Sequence, residues 1–220
     1  MIKLVIFDLD GTLLYTVEDI AAATNHALKL YGYPTHPSSV IATFIGNGIN
    51  KLFERALPHG EKSEENVLKI RKAFIPYYNE HGRDYTRPFP GIKELLQFLS
   101  ERNIKIAVAS NKYQQATTTL IEHYFPEIEF VAVLGQRDGI ATKPDATIVE
   151  QILLAANISA EDRDSILYIG DSGVDMQTAI NAKVKASRSN DLADIFNQRD
   201  VFDFFISSRK IKIKFHSRQS

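Results

Sequence analysis

The pattern of hydrophobic and polar positions divides the chain into three stretches, which differ in whether apolar residues form continuous runs or recur every three or four positions. Residues 4–7 are an uninterrupted apolar run that ends at Asp8, which predicts a short buried strand. From 15 to 87 apolar residues recur every three or four positions, which predicts helices and no strand. After that stretch, apolar runs and helical patterns alternate again. The predicted helices cover 17–31, 39–44, 49–57, 63–78, 92–102, 114–124, 143–156 and 174–182, and the later strands cover 105–109, 130–134 and 165–169.

The alternation of strands and helices predicts the fold class. Strands that are separated by single helices pair in parallel, because each helix returns the chain to the same edge of the sheet. The sequence therefore predicts an α/β fold with a Rossmann-like parallel sheet core, helices on both faces and an inserted all-helical cap. The predicted core comprises 1–14 and 88–220, and the predicted cap comprises 15–87.

Local signals at helix ends add detail to this prediction. Thr16, followed three residues later by Asp19, resembles a capping box at the start of the first helix. Pro144 follows Lys143 and is expected at the first position of a helix, where proline is common. Pro76 is expected to kink or fray the last turns of its helix.

Two carboxylates, Asp8 and Asp10, follow the first strand directly, and Gly11 lets the backbone turn sharply after them. Open α/β sheets bind ligands at the carboxyl ends of their strands. Two carboxylates at that edge can share a hard divalent cation such as magnesium. They can also divide catalytic roles, one as nucleophile and the other as general acid and base.

Three further polar stretches lie at element ends, and each suits one need of phosphoryl transfer. Ser110 and Asn111 follow a strand and supply a hydroxyl and amides for phosphate oxygens. Lys143 supplies a cation that can offset charge on the transferring group and orient the nucleophile. Asp171 follows the last predicted strand as a second metal carboxylate, and Asp175 lies one turn further on, where it can support the site.

The first of these stretches, Asp8–Leu13, resembles the first motif of the haloacid dehalogenase superfamily of phosphatases. The order of all four stretches resembles the complete motif set of that superfamily. The resemblance implies that Asp8 attacks phosphorus and becomes an aspartyl-phosphate, which water then releases. It also implies that Asp10 handles the leaving-group proton and that Lys143 is catalytic.

The same resemblance implies a metal site and a phosphate site. Magnesium is the implied cofactor, and its expected ligands are Asp8, Asp171 and the backbone carbonyl of Asp10. The implied phosphate-binding residues and the implied supporting residues lie close by. They are Ser110, Asn111 and Lys143 for the phosphate, and Thr12 and Asp175 for support.

The cap region resembles that of the phosphoglycolate phosphatases within this superfamily, in residues 44–48, 52–57 and 85–91. This resemblance implies that the partner is a small phosphorylated metabolite, with phosphoglycolate as the expected substrate. The second anionic end of that substrate is expected to face a helix N-terminus, which suits anions, and a nearby cation. The expected cap contacts are Gly46, Asn47, Gly48 and Arg55.

Two other functions stay open at this point. A β-phosphoglucomutase-like phosphomutase of the same superfamily would form the same aspartyl-phosphate but return the phosphoryl group to a sugar. A phospho-Asp signalling domain also clusters acids, a hydroxyl and a lysine around magnesium. The additional acid–base group at Asp10 and the helical insert favour an enzyme over a slow signalling switch.

Composition limits the partners and the location. The 220 residues are 44% hydrophobic and 24% charged, and a net charge of −1 gives no general attraction to nucleic acid or anionic membranes. The absence of cysteine excludes disulfides, thiol catalysis and zinc–thiolate sites. No apolar run is long enough to span a membrane and no signal-peptide pattern is found, so we expect a cytoplasmic protein without membrane partners. We also expect a monomer or homodimer without nucleic-acid partners.

The C-terminal region departs from the superfamily pattern after Ala182. Residues 183–191 are too polar for a normal central strand, which leaves open whether this edge of the sheet forms. Residues 203–206 resemble a late strand of the family. The tail from Ser207 holds five basic and no acidic residues, and its alternation over 211–215 suits an edge strand.

Overall fold

A computed structural model of the protein describes residues 1–189. Within them the strands are β1 (Leu4–Phe7), β2 (Leu14–Tyr15), β3 (Arg87–Pro88), β4 (Lys105–Tyr113), β5 (Ala132–Gln136), β6 (Ile166–Gly170) and β7 (Lys185–Arg188). The helices are α1 (Val17–Leu30), α2 (Ser38–Ala42), α3 (Ile49–Ala56), α4 (Glu64–His81), α5 (Ile92–Glu101), α6 (Gln114–Tyr124), α7 (Thr147–Ala155) and α8 (Gly173–Asn181). A 3₁₀ helix covers Ala160–Ser165. Among these helices, none is both long and apolar enough to cross a membrane.

Five of the strands form one parallel sheet in the order β5–β4–β1–β6–β7, with β1 at its centre. Alternate residues of a strand point to opposite faces of the sheet. Val5 and Phe7 share a buried core with α5 and α6, whereas Leu4 and Ile6 share a second core with α7 and α8. The predicted α/β fold, with a Rossmann-like parallel sheet between helices, is confirmed.

Helices α1 to α4 pack around a third buried core, to which Ala116 of α6 also contributes. Each helix contributes apolar side chains to it, including Leu28, Ile41, Phe53 and Phe74. These four helices lie between β2 and β3 in the chain, and they cover the carboxyl edge of the parallel sheet, where a cavity separates the two layers.

The two chain crossings between these layers pair with each other as the antiparallel strands β2 and β3. Leu14 pairs with Pro88 and Tyr15 pairs with Arg87. The prediction of helices alone from 15 to 87 is therefore wrong at both ends of that range. The crossings run side by side in opposite directions, so their backbone groups can satisfy each other, and such long-range pairing leaves no period in the local sequence.

The predicted capping box at the start of α1 is also wrong. Thr16 makes no side-chain bond to the helix end, and its hydroxyl donates instead to Asp10 at 2.7 Å. Asp19 accepts from the backbone amides of Tyr85 (3.0 Å) and Thr86 (2.8 Å). Both side chains bind groups outside the helix, and these groups take the place of the backbone amides at the helix start.

The prediction that Pro144 begins a helix is wrong, whereas the kink at Pro76 stays a prediction. Helix α7 begins at Thr147, so Pro144 is not its first residue, and Asp145 accepts from the amide of Thr147 at 2.8 Å. Helix α4 contains Pro76 and continues to His81.

The stretch after Ala182 does form a strand. β7 pairs in parallel with β6, with Tyr168 opposite Ala186, and it is the outer strand on that side of the sheet within residues 1–189. An outer strand accommodates the polar residues that a central strand excludes. The strand expected at 203–206 and the alternating tail lie outside the described residues.

Candidate active site

The loop after β1 places the first two carboxylates at the carboxyl edge of the sheet. The carbonyl of Leu9 accepts from the amide of Leu14 at 3.0 Å, which closes a tight turn. Gly11 has a φ of +83°, and a Cβ at this position would lie 2.4 Å from Oδ2 of Asp171. Only glycine fits this conformation and this approach. The turn therefore brings Asp10 and Gly11 directly against the end of β6.

A cavity of about 240 Å³ lies between the sheet edge and α1 to α4. Polar residues line its floor on the sheet side, and apolar residues line much of the opposite wall. The polar residues are Asp8, Asp10, Ser110, Asn111, Lys112, Lys143, Asp171 and Ser172. The apolar residues include Val17, Ile20, Ala42, Ile45, Ile49, Leu52 and Phe74.

Lys143 is the centre of a buried polar network on this floor. Its Nζ donates to Oδ1 of Asp8 and Oδ1 of Asp175, both at 2.7 Å, and to the carbonyl of Ala109 at 2.9 Å. An ammonium group has three N–H donors, so these three bonds use all of them. Burial alone would lower the pKa of Lys143, but the two carboxylates, Asp8 above all, outweigh burial and raise it well above its usual value. The lysine is therefore a fixed cation.

Asp8 has a different electrostatic environment. Burial raises its pKa to about 8, although Lys143 opposes this shift, and the repulsion of Asp175 adds to it. Within residues 1–189, Oδ1 has Lys143 as its partner and Oδ2 has none. The lysine thus holds one oxygen of Asp8 and leaves the other without a partner among residues 1–189, in a residue that lines the cavity.

Asp175 supports this network from the start of α8. Its Oδ2 accepts from the hydroxyl (2.5 Å) and the amide (3.1 Å) of Ser172 in a capping box, so both of its oxygens are occupied. Burial would raise the pKa of Asp175, but Lys143 and Ser172 outweigh burial and lower it. A Cβ at Gly170 would lie 2.4 Å from the Cβ of Asp175, so the glycine permits this close packing.

Asp10 is held by two residues in the same part of the cavity. Oδ1 accepts from Thr16 at 2.7 Å and from Nζ of Lys112 at 3.1 Å. The Lys112 side chain is 5% exposed, and its Nζ lies 4.5 Å from the ring centre of Tyr78 on α4. Burial would lower the pKa of Lys112, but the ion pair with Asp10 outweighs it and raises the pKa. Sequence reasoning missed Lys112, although its place directly after Asn111 was an available signal.

Ser110 and Asn111 lie at the cavity but differ in what they can offer a ligand. The hydroxyl oxygen of Ser110 accepts from the amide of Lys112 at 3.1 Å, which leaves its own proton available. The Asn111 side chain exchanges bonds with the amide and carbonyl of Lys143, at 2.9 and 3.1 Å, and donates to the carbonyl of Gly46 at 2.9 Å. Its amide group is thus engaged in positioning Lys143 and the 44–48 loop.

The other predicted site residues lie in different environments. Thr12 is buried, and its hydroxyl has no hydrogen-bond partner among the described residues. Gly46 and Gly48 line the cavity. Arg55 donates to the carbonyl of Phe44 and to Oδ1 of Asn47 in an exposed position, and neither Arg55 nor Asn47 lines the cavity. The guanidinium is therefore not brought to the site.

The donor set of the site fits a divalent cation. One carboxylate oxygen from each of Asp8, Asp171 and Asp175 lies within 4.8 Å of the others. Burial, followed by the repulsion of Asp175, raises the pKa of Asp171, as expected for a carboxylate that lacks a positive partner. The polar floor and its support hold four carboxylates against two ammonium groups, so negative charge is in excess. Since Asp175 has both oxygens occupied, Asp8 and Asp171 are the carboxylates that remain for a metal.

Comparison with known proteins decides the family. The model of the haloacid dehalogenase-like hydrolases matches residues 5–188, which include all four polar stretches of the site. The chain belongs to this family. The predicted family and the predicted enzyme class, a phosphatase of the haloacid dehalogenase superfamily, are thereby confirmed.

Several similar proteins within this family are named more specifically, as phosphoglycolate phosphatases. A phosphoglycolate phosphatase from Vibrio parahaemolyticus is 31% identical over 186 residues, which cover 82% of this chain and 80% of that protein. One from Haemophilus influenzae is 32% identical over 180 residues, which cover 79% of each. A solved structure from Haemophilus somnus, described as a predicted phosphoglycolate phosphatase, has a TM-score of 0.76 at 27% identity and covers 86% of this chain and 88% of its own.

Proposed function

We propose that this phosphatase is a magnesium-dependent phosphomonoester hydrolase that acts through an aspartyl-phosphate on Asp8, with phosphoglycolate as its substrate. The observation that carries the proposal is the division of labour at Asp8. Lys143 binds one carboxylate oxygen at 2.7 Å, while the other has no partner within residues 1–189, and Asp8 lines the cavity. A fixed cation that orients one oxygen leaves the second as an in-line nucleophile for phosphorus.

The remaining groups on the cavity floor supply what the two half-reactions need. In the first, Asp8 Oδ2 bonds to phosphorus as the ester oxygen leaves, and Asp10 gives that oxygen a proton. In the second, water attacks the phosphoryl group, Asp10 takes its proton, and the Asp8 carboxylate is restored. The Ser110 hydroxyl, which keeps a free proton, donates to a phosphoryl oxygen. Lys143 compensates the negative charge of the transferring group throughout.

Magnesium is the proposed cofactor, and its residues on this chain are Asp8, Asp171 and the backbone carbonyl of Asp10. When bound, it would neutralise negative charge on the phosphoryl oxygens. Thr12 and Asp175 are proposed to support the site from outside the metal shell. For Asp175 the capping box and the bond to Lys143 support this role.

The substrate proposal rests on the names of the relatives and on the shape of the cavity. A small cavity with a polar floor and an apolar roof suits a short phosphate ester better than a nucleotide or sugar phosphate with many hydroxyl groups. We propose that 15–87 act as a cap over a catalytic core of 1–14 and 88–220. A closed cap would exclude bulk water from the aspartyl-phosphate until one water is positioned.

A phosphatase screen tests this function. The purified protein is assayed for phosphate release from a panel of small phosphate esters, with magnesium and with a chelator. We expect turnover only with magnesium, a preference for phosphoglycolate, and none in Asp8→Asn, because an amide is a poor nucleophile. Asp162→Asn, which alters a surface ion pair with Lys3, is the matched control and should keep full activity.

Two outcomes of this screen would refute the proposal. Appreciable turnover by Asp8→Asn would remove Asp8 from the nucleophile role. Transfer of the phosphoryl group to glucose 1-phosphate rather than to water would indicate a phosphomutase.

A further inference from the structure

Lys112 is a buried cation in the cavity that the reaction scheme above leaves without a task. It extends from the irregular end of β4, where the register to β5 shifts between Ala109 and Tyr113. Its hydrogen-bond partners among the described residues are the two oxygens of Asp10, at 3.1 and 3.5 Å. An ammonium group has three N–H donors, so the two bonds to Asp10 do not use all of them.

The surroundings of Lys112 favour the binding of an anionic ligand. Tyr78 of α4 covers the ammonium with its ring, 4.5 Å from the ring centre, and the side chain is only 5% exposed. A charge removed from water in this way interacts strongly with a ligand of opposite sign. Lys112 also lines the cavity itself, whereas Arg55 does not.

The other cation of the cavity cannot take this role. Within residues 1–189 the basic side chains that line the cavity are Lys112 and Lys143. All three donors of Lys143 are used by Asp8, Asp175 and a carbonyl group. A second negative group of a substrate would otherwise meet the apolar wall formed by residues such as Leu52 and Phe74.

We infer that Lys112 is a specificity-determining residue that binds the carboxylate of the leaving alcohol. This inference rests on the proposed function, in which Asp10 touches the ester oxygen. In phosphoglycolate one methylene separates that oxygen from the carboxylate, so the carboxylate reaches the neighbourhood of Asp10. Lys112 lies between the two negative groups and offsets their repulsion. An ester with a neutral leaving group offers no carboxylate to Lys112, so the enzyme binds the transition state of that ester less tightly.

The test compares two esters that differ in this end alone. kcat/KM is measured for phosphoglycolate and for 2-hydroxyethyl phosphate, in which a neutral hydroxymethyl group replaces the carboxylate. Wild type, Lys112→Met and Lys69→Met are compared. Lys69 is an exposed lysine of α4 paired with Glu65, so its variant is the matched control. We expect Lys112→Met to lower the ratio of the two kcat/KM values by about 10- to 100-fold, the worth of one charged hydrogen bond. Lys69→Met should leave the ratio unchanged.

The ratio separates this inference from the proposed function. If Lys112→Met loses activity on both esters equally, Lys112 acts only through Asp10 and the inference is refuted, while the phosphatase proposal stands. If wild type shows no preference for phosphoglycolate, the substrate proposal fails and takes the inference with it.

A second variant and a second readout cover the possibility that the buried methionine prevents folding. Lys112→Gln keeps a polar side chain without the charge, and circular dichroism checks its fold. We expect glycolate to inhibit the hydrolysis of an aryl phosphate by wild type, and this inhibition to weaken about 10-fold or more in Lys112→Gln. Equal inhibition of both proteins would refute carboxylate binding by Lys112.

Discussion

The Asn111 side chain makes three hydrogen bonds in the site, and its removal tests whether they hold Lys143 in place. Oδ1 accepts from the amide of Lys143 at 2.9 Å, and Nδ2 donates to the carbonyls of Lys143 and Gly46 at 3.1 and 2.9 Å. Asn111→Ala leaves one amide and two carbonyl groups without these partners. Sequence reasoning had assigned Asn111 to the phosphate, whereas these bonds indicate a positioning role for its side chain.

The expected cost follows from the number of groups left unpaired. A buried polar group without a partner costs about 1–3 kcal/mol. Asn111 borders the cavity, so water can replace part of what is lost, and we expect the free energy of unfolding to fall by about 2–4 kcal/mol. Asn111→Asp should cost at least as much, because its second oxygen would face the carbonyls of Lys143 and Gly46.

Urea unfolding and steady-state kinetics measure the two consequences together. Asn79→Ala is the matched control, because it removes a single bond from the Tyr113 hydroxyl at an exposed position, and it should cost less than about 0.5 kcal/mol. We expect Asn111→Ala to lose both stability and kcat. A variant that loses activity with a stability change below about 1 kcal/mol would show that the side chain serves the phosphate and not Lys143.

Two further predictions concern the loop after β1. Gly11→Ala should lower the melting temperature and the activity, because its backbone conformation and the contact with Asp171 at 2.4 Å both exclude a Cβ; unchanged values would contradict the described turn. Burial raises the pKa of Asp8 from 3.8 to about 8, so the native state retains a proton that the unfolded state has lost between these pH values. In chelator, the stability that this proton contributes should be lost as pH rises through about 8, and wild type should therefore lose stability relative to Asp8→Asn. A difference independent of pH would argue against the raised pKa.

Much of the fold and of the cavity floor could be predicted because each signal is local. The apolar run of β1 is uninterrupted and the strand is buried on both faces, so the buried strand follows from its composition alone. Asp8 and Asp171 directly follow strands and Ser110 lies in the last half of β4, and parallel strands bring their carboxyl ends to one edge. Their convergence on one cavity therefore needs no knowledge of side-chain packing.

Features that depend on contacts between distant segments could not be predicted in this way. Lys112 and Arg55 are both basic residues beside recognisable motifs, and the sequence does not show where either side chain points. The structure separates them, since Lys112 binds Asp10 in the cavity, while Arg55 on α3 binds the carbonyl of Phe44 in the preceding loop. A basic residue near a motif thus indicates that a positive charge is close by, but it does not show whether that charge lies in the site.

At the first turn of α1, a local sequence signal correctly predicts side chains that form hydrogen bonds but predicts the wrong hydrogen-bond partners. Thr16 and Asp19 have the residue types and spacing of a capping box, yet Thr16 donates to Asp10 and Asp19 accepts from the amides at Tyr85 and Thr86. One helical turn thereby contacts both the proposed acid–base residue and the segment by which the chain returns to the sheet. A change in the angle between the helical layer and the sheet would move these contacts together, because all of them start from the same turn. Asp10 is therefore linked to the packing of the helices above it. Thr16 and Asp19, which could have capped the helix, make this link instead.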